Sequence, residues 1–484
     1  MFKVLFKKEL LENVLNYRFL LALVLCLVII PLGFAVSQEE YKERRQVYDE
    51  TVRDYEQAHP TIGYVVRDGG AAFRPPSPLG FLSGGVEMVL PTSVESRAYI
   101  TDQGAEVQFN NVRRVDNPFT WLFGRLDLTF IVSTVLSVLV MLFAFNAVAG
   151  EKERRTLAPI MANSVPRPMV ITAKMAAGSA LLAASFLAGT LAGVLLTSTL
   201  GLSPFSDPAT WAPFGIAIGV SLVFLLVFYS FGLLISSLSR SSISALVALL
   251  SAWVAFGMVL PKGSVVVAKL LLPIKSQQVI DLQKDQVRFQ SSNEFGDAVH
   301  KLGETMPGVK DLSSADFSKQ WEAKNPAVAA YEKAQLQIKN ELKTRLNSEL
   351  DKIDAEFERQ KGYQATLARN LARLSPVSCL VHILAELAGT GFTEENKWQE
   401  TRSHFKQILD REIANKEWSL LFKFTYFSGF GDIDFKAPAP KFPPETTTLE
   451  MRLAAVWVDL VLLGVYGVLF FAGAYVAFLR YDVR

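Results

Sequence analysis

The stretch AGEKERRTLAPIMANSVPRPMVITAK, Ala149 to Lys174, lies between two long apolar runs, and nowhere else is charge held so tightly against hydrocarbon. Glu151, Lys152, Glu153, Arg154 and Arg155 open it, the segment from Thr156 to Ala162 can be helical, and Ser164, Pro166 and Pro168 break it. Thr156 reads as an N-cap, which puts Pro159 in the first turn, where its missing N–H breaks no intrahelical bond. Leu157, Ile160 and Met161 then form an apolar stripe at helical spacing, shaped to enter a partner's groove. The stretch therefore reads as a docking face beside a membrane. It reads equally as a solvated loop between two spans, with its positive charge set by topology.

The flanking sequence decides the class. Half of the 484 residues are hydrophobic and 20% are charged, yet the two kinds segregate instead of mixing. The apolar residues collect in runs that match the roughly 20 residues needed to cross a bilayer. A formal net charge of +2 gives no reason to expect a nucleic-acid partner. Cys26 lies in the first apolar run and Cys379 far away in a polar region, so a structural disulfide between them is not expected.

Residues 1–18 are basic and amphipathic, with Phe2, Leu5, Phe6, Leu10 and Leu11 set among Lys3, Lys7, Lys8 and Glu9, as suits a helix lying in the membrane interface. Residues 19–36 form the first span; small Ala35 and Ser37 also fit a cleaved signal peptide, but the run exceeds the usual apolar core of one. Residues 37–125 make a first polar insertion, helical from Gln38 to Ala58, then β-prone at Ile62 to Val66 and Glu87 to Leu90. Its glycine-rich GFLSGG, residues 80–85, lacks the ending of a phosphate loop.

Residues 126–148 form the second span, 149–168 the charged turn and 169–200 the third span. Residues 212–235 and 243–260 form the fourth and fifth, joined by a tight polar turn at Ser236, Ser237, Ser239 and Arg240. Gly189 with Gly193, and Gly215 with Gly219, have the four-residue spacing that lets helix backbones approach, within the chain or against a second copy. Residues 261–452 are a second insertion. After Asn325-Pro326, the residues Ile338, Leu342, Leu346, Leu350, Ile353 and Phe357 mark one long amphipathic helix reaching Gln360, and Leu367, Leu371 and Leu374 mark another. Residues 453–479 form the last span and 480–484 a basic tail. The expected fold is a mainly α membrane protein: six transmembrane helices and an extracytoplasmic domain, α/β or mostly helical, built from two insertions. Basic residues crowd the short segments assigned to the cytoplasm, which puts both termini on that side.

Two carboxylates stand out by position, because one in hydrocarbon costs several kcal/mol unless paired or hydrated. Asp127, at the outer end of the second span, and Asp459, inside the last, either line a translocation path or pair with Arg125 or Arg452. His59, His300, His382 and His404 are scattered without ligand spacing, and no nucleophile elbow appears, so neither catalytic nor metal-binding residues are expected.

Gly150-Glu151-Lys152-Glu153, Thr156-Leu157, Ser164-Val165-Pro166-Arg167 and Lys174 closely resemble the linker between the second and third spans of type-2 ABC transporter permeases. The six-span order, the N-terminal helix with Lys8 and Glu9, and the closing RYDVR resemble the branch with large extracytoplasmic insertions after the first and fifth spans. Arg155 departs from the pattern where Gly is common, and Pro159 where Leu is usual. The resemblance implies an export permease in a bacterial inner (plasma) membrane, surrounded by lipid and paired with a second protomer in a homodimer or related heterodimer. Its coupling helix, from Glu151 through Met161, would dock on an ABC ATPase subunit that carries the ATP and Mg, leaving no cofactor on this chain. The chain's lack of a G-x-x-x-x-G-K-[ST] loop agrees. The outer insertions would handle substrate or an extracytoplasmic protein partner. A membrane-anchored scaffold or assembly factor without energy coupling is the alternative.

Overall fold

Asn16 starts the first long helix, its side chain accepting from the Arg18 N–H. Before it lies α1 (Phe2–Val14); after it α2 (Tyr17–Ala58) runs unbroken for 42 residues through Pro31. The apolar run and the polar Gln38 to Ala58 segment are thus one helix, roughly 60 Å long at the usual rise. This computed structural model describes residues 1–61, 64–65, 70–87, 93–101, 104–112, 124–156, 166–201, 205, 207–310, 325–414, 438–443 and 445–481.

Six described helices are long and apolar enough to cross a membrane. They are α2, α3 (Leu128–Glu153), α4 (Arg167–Thr199), α5 (Trp211–Leu238), α6 (Ser242–Leu271) and α11 (Leu449–Leu479). Large apolar side chains such as Leu20, Val24, Leu191, Leu195, Val461 and Val468 stand exposed on them, as faces turned to lipid require. The interior is a single apolar cluster in which Phe34, Phe186, Phe224, Phe228 and Phe478 are all but fully buried. Within α3, residues Ile131–Leu136 are π-helical, and the helix loosens into turns at 145–148 before its last segment, Ala149–Glu153. Within α6, Ala255–Val259 is π-helical as well. The sequence placed the end of this span at residue 260, yet the helix continues to Leu271. The wide π turn ahead of Pro261 relieves the ring's demand on the ladder below it.

Outside the spans, β1 (Gly70–Phe73), β2 (Ser93–Thr101) and β3 (Gly104–Val112) form an antiparallel sheet in that order, with Gly70 opposite Ser96 and Ser93 opposite Val112. The β-prone pieces read from sequence differ: Tyr64 and Val65 are helical, and residues 88–90 lie outside the described residues. The second insertion holds α7 (Gln277–Thr305), α8 (Pro326–Ala372), α9 (Pro376–Leu387) and α10 (Phe392–Ala414). α8 is one helix of 47 residues where the sequence suggested two, because a lone Gly362 costs only about 1 kcal/mol in a packed helix. α9 and α10 meet at a 42° bend, but α9 is too short to span, and α10 carries Glu394, Glu395, Lys397 and Glu400.

The GFLSGG loop joins the two insertions to the bundle. Leu128 and Thr129 N–H donate to the Phe81 and Leu82 carbonyls at 2.9 Å each, and Val86 N–H donates to Thr390 O at 2.9 Å. A Cβ on Gly85 would fall 2.3 Å from that same Thr390 oxygen, and its φ is +48°, so only glycine fits.

The two glycine pairs differ. A Cβ at Gly189 would lie 2.5 Å from the Cys26 carbonyl oxygen and one at Gly193 2.8 Å from Phe34, so this pair seats α4 on α2 of the same chain. Gly215 and Gly219 have nothing within 4 Å. Gly189→Ala is expected to lower the thermal midpoint of the purified protein, at the roughly 1 to 3 kcal/mol of an overpacked core. Gly219→Ala is expected to leave it unchanged or raise it, and a melt of both variants in detergent checks the contrast.

Candidate functional site at the charged turn

Lys174, 3% exposed, sits about two turns inside α4, far enough from water that its ammonium needs partners. It has two. Its Nζ donates to both carboxylate oxygens of Glu9 on α1, at 3.1 and 3.0 Å, and to Glu151 Oε1 on α3 at 2.7 Å. Glu9 is itself buried, so one charge-assisted knot ties the N-terminal helix, the charged turn and the third span together. All three residues were in view in the sequence, but their mutual pairing was not, since 165 positions separate Lys174 from Glu9.

The turn between α5 and α6 holds the other side of the charged segment. Ser236 Oγ accepts from the Val148 and Ala149 N–H groups at 3.1 and 3.0 Å and donates to Phe145 O at 2.8 Å. Those N–H groups are orphaned where α3 loosens, and a fully buried serine satisfies both. Lys152 Nζ donates to the Ser237 and Ser239 carbonyls at the C-terminus of α5, where a cation is favoured by the helix dipole. Glu153 accepts from the Ser242 N–H at 3.1 Å, at the N-terminus of α6, where an anion is favoured. The Tyr481 ring lies 4.3 Å from Lys152 Nζ, and Arg167 donates to the Leu479 and Tyr481 carbonyls at 3.0 and 3.1 Å. Both ends of the chain and both span-joining turns thus meet at one end of the bundle.

Glu151 and Lys152, both half-buried, therefore face inward, toward the protein's own turns and helices, whereas Glu153 reaches the α6 N-terminus along the exposed surface. Among the described residues of the segment, Glu153, Arg154, Arg155 and Thr156 are exposed. Arg155 has φ +57°, in the left-handed region that costs a non-glycine residue about 1 to 2 kcal/mol, which is the physical reason a glycine suits this position. Thr156, expected as an N-cap, closes the preceding helix, its N–H donating to Glu151 O at 3.0 Å. Leu157, Ile160 and Met161 lie outside the described residues.

The two carboxylates singled out by depth have partners other than those named from sequence. Asp127 accepts from the Phe130 and Gly84 N–H groups at 2.8 Å each and caps α3. Arg125 pairs instead with Glu40 at 2.8 Å. Asp459, 1% exposed, is held by both arms of Arg373 at 2.9 and 2.8 Å, with His382 at 3.4 Å. Arg452 faces Glu394 and Thr447. Arg373 and His382 were missed because they come from α8 and α9, brought to α11 only by the dip of the second insertion into the bundle.

Six apolar helices around one buried core define an integral, multi-pass membrane protein. A profile of the ABC-2 family transporter proteins matches residues 4–483, and the chain belongs to that family, as a transporter membrane subunit. No curated protein matches it by sequence.

Removing a partner from a buried ion pair costs about 3 to 5 kcal/mol, because the remaining charge stays buried without compensation. Lys174→Met is expected to lower the thermal midpoint sharply and to expose the segment around Asn16 to protease as α1 detaches. Arg154→Ala, on the exposed side, is expected to change neither readout.

Proposed function

We propose that the protein is the permease of an ABC-2 exporter, driven by separate ATPase subunits that grip it at the charged turn. Family membership carries the transporter reading. The observation that carries the docking reading is the division of the charged segment into residues anchored to the protein's own turns, Glu151 to Glu153, the last of them already at the surface, and the exposed Arg154 to Thr156 beyond them. A surface that must take force needs this division: free groups to meet the partner and anchored groups to pass the load on. The same end of the bundle collects Lys3, Lys7, Lys8, Arg18, Arg167 and Arg240, which supports a cytoplasmic placement for it and for both termini, in a bacterial inner membrane. The ATPase binds the ATP and Mg, and this chain binds neither.

Export is the first reading. The second, in which ATP turnover moves an extracytoplasmic partner without flux, is favoured by one feature: α8 is some 70 Å long, and its C-terminal end beside α6 is fixed to the last span by Arg373 on Asp459. Substrate efflux from reconstituted vesicles separates the two.

The docking reading is tested with Arg154→Glu combined with Arg155→Glu. The doubly reversed protein is expected to melt as the wild type but to lose at least ten-fold of the ATPase that travels with it from native membrane. Undiminished association would overturn docking at this face, and absence of any ATPase from the wild-type preparation would favour a scaffold. Placement is tested apart from docking with Arg154→Cys, readable because Cys26 and Cys379 are both buried. An impermeant maleimide is expected to label it in inverted vesicles and not in intact cells.

A further inference from the structure

A cavity of about 1030 Å³ opens between α6, the lower part of α8 and α9. It lies at the upper edge of the roughly 300 to 1,000 Å³ range of small-molecule sites. Two hydrogen bonds set its ends. Gln364 donates to Leu272 O and Ser375 donates to Phe256 O, so α8 descends beside α6 as α6 rises. The end within the bundle is lined by Trp253, Met258, Val377 and Val381, and the end where α6 leaves the bundle by Lys269, Lys275 and Lys361. Arg369 stands between them. No aspartate or glutamate lines the cavity among the described residues.

Three further observations point to a ligand. Ser378, 4% exposed, lines the cavity with an Oγ that has no hydrogen-bond partner, and the Arg369 Nε is likewise buried and unpaired. Lys269 and Arg369 make no ion pair among the described residues, and Lys275 reaches only Gln283, at 3.4 Å. Both π-helical turns among the described residues also face this space, Ser133 and Thr134 from α3, Gly257 and Met258 from α6. Such turns are uncommon and cluster at functional sites. Here the two helices are locked at that level by Trp253 Nε1 donating to Ser137 Oγ at 2.9 Å.

We propose that this cavity binds a membrane amphiphile with an anionic headgroup, its tail against Met258, Val377 and Val381 and its headgroup among Lys269, Lys275 and Arg369. The charge is complementary: at one end a row of cations of which Lys361 is paired, with Glu358 outside the lining, and Lys269 and Arg369 are not ion-paired among the described residues; at the other, hydrocarbon with the unpaired Ser378 hydroxyl. A zwitterionic lipid would bring an ammonium into the cationic end. A soluble anion would leave the apolar end empty. The site lies at the opposite end of the spans from the charged turn and stands whether or not an ATPase docks there.

The test is native mass spectrometry of the full-length protein in detergent, titrated with phosphatidylglycerol and, separately, with phosphatidylcholine. Phosphatidylglycerol is expected to be retained at least ten-fold more tightly. The triple variant Lys269→Ala, Lys275→Ala, Arg369→Ala is expected to lose that preference, and the matching variant with Lys269→Arg and Lys275→Arg to keep it, which separates charge from folding. Ala368→Trp, filling the space, is expected to weaken retention of both lipids. Equal retention of the two lipids by the wild type, or a preference undisturbed in the triple variant, would overturn the proposal. Displacement of phosphatidylglycerol by an equal concentration of glycerol phosphate would assign the site to a soluble anion and overturn it too.

Discussion

A single ammonium group, Lys174 Nζ, holds the charged-turn end of the bundle in register. It is buried, so it is stable only while two carboxylates stay beside it, and those come from α1 and from the charged turn. Neither could drift without leaving charge stranded in hydrocarbon. The position of Glu151 is therefore fixed from below by a span, and Lys152 and Glu153 are fixed from the side by the two ends of the α5–α6 turn. The charged segment is locked as a wedge among three spans, with the exposed residues from Glu153 to Thr156 at its tip.

A second buried pair plays the corresponding part toward the other end. Asp459 on α11 receives the bidentate guanidinium of Arg373, at the foot of the longest described helix. The far end of α11 meets the wedge through Leu479, Tyr481 and Arg167. One helix is thus tied at the bottom to the segment beneath the spans and near its top to the outer insertion. A charge pair is worth little as a source of net stability once desolvation is counted. Its value is directional: it forbids α8 and α11 from sliding past each other without a cost of several kcal/mol.

Periodicity and hydropathy exposed the spans because a bilayer demands about 20 apolar residues per crossing, whatever the tertiary contacts. Charge density exposed the turn for a similar reason. The sequence did not show which charges pair with which. Glu9, Lys174 and Glu151 lie on separate helices, and Asp459 seemed to belong with Arg452, a neighbour two turns away on its own helix, because its true partner is 86 positions distant. The glycine pairs were equal as text and unequal in space, since spacing says that a backbone can approach but not whether one does. Helix ends were overrun for a third reason. α2, α6 and α8 continue past their apolar stripes because packing overrides weak local stop signals such as Gly362 and Pro261.

The break at residues 145–148 determines how a push on the wedge would travel. α3 carries the charged segment at one end and, through Ser133 and Thr134, a wall of the cavity at the other. Were it a continuous ladder, displacement of Glu151 would pass straight along it. At Val148 and Ala149, however, the N–H groups leave the ladder and bind Ser236 of α5. Ser236 also holds the Phe145 carbonyl, so the same hydroxyl grips both sides of the break. Load entering at the tip is therefore shared with α5 before it reaches the rest of α3. α5 in turn packs along α11, with the Phe231 and Phe470 rings tilted at 49° and 4.8 Å apart. The fourth and sixth spans become the stiff route toward Asp459, while the second, with its π turn, is left the softer member beside the cavity.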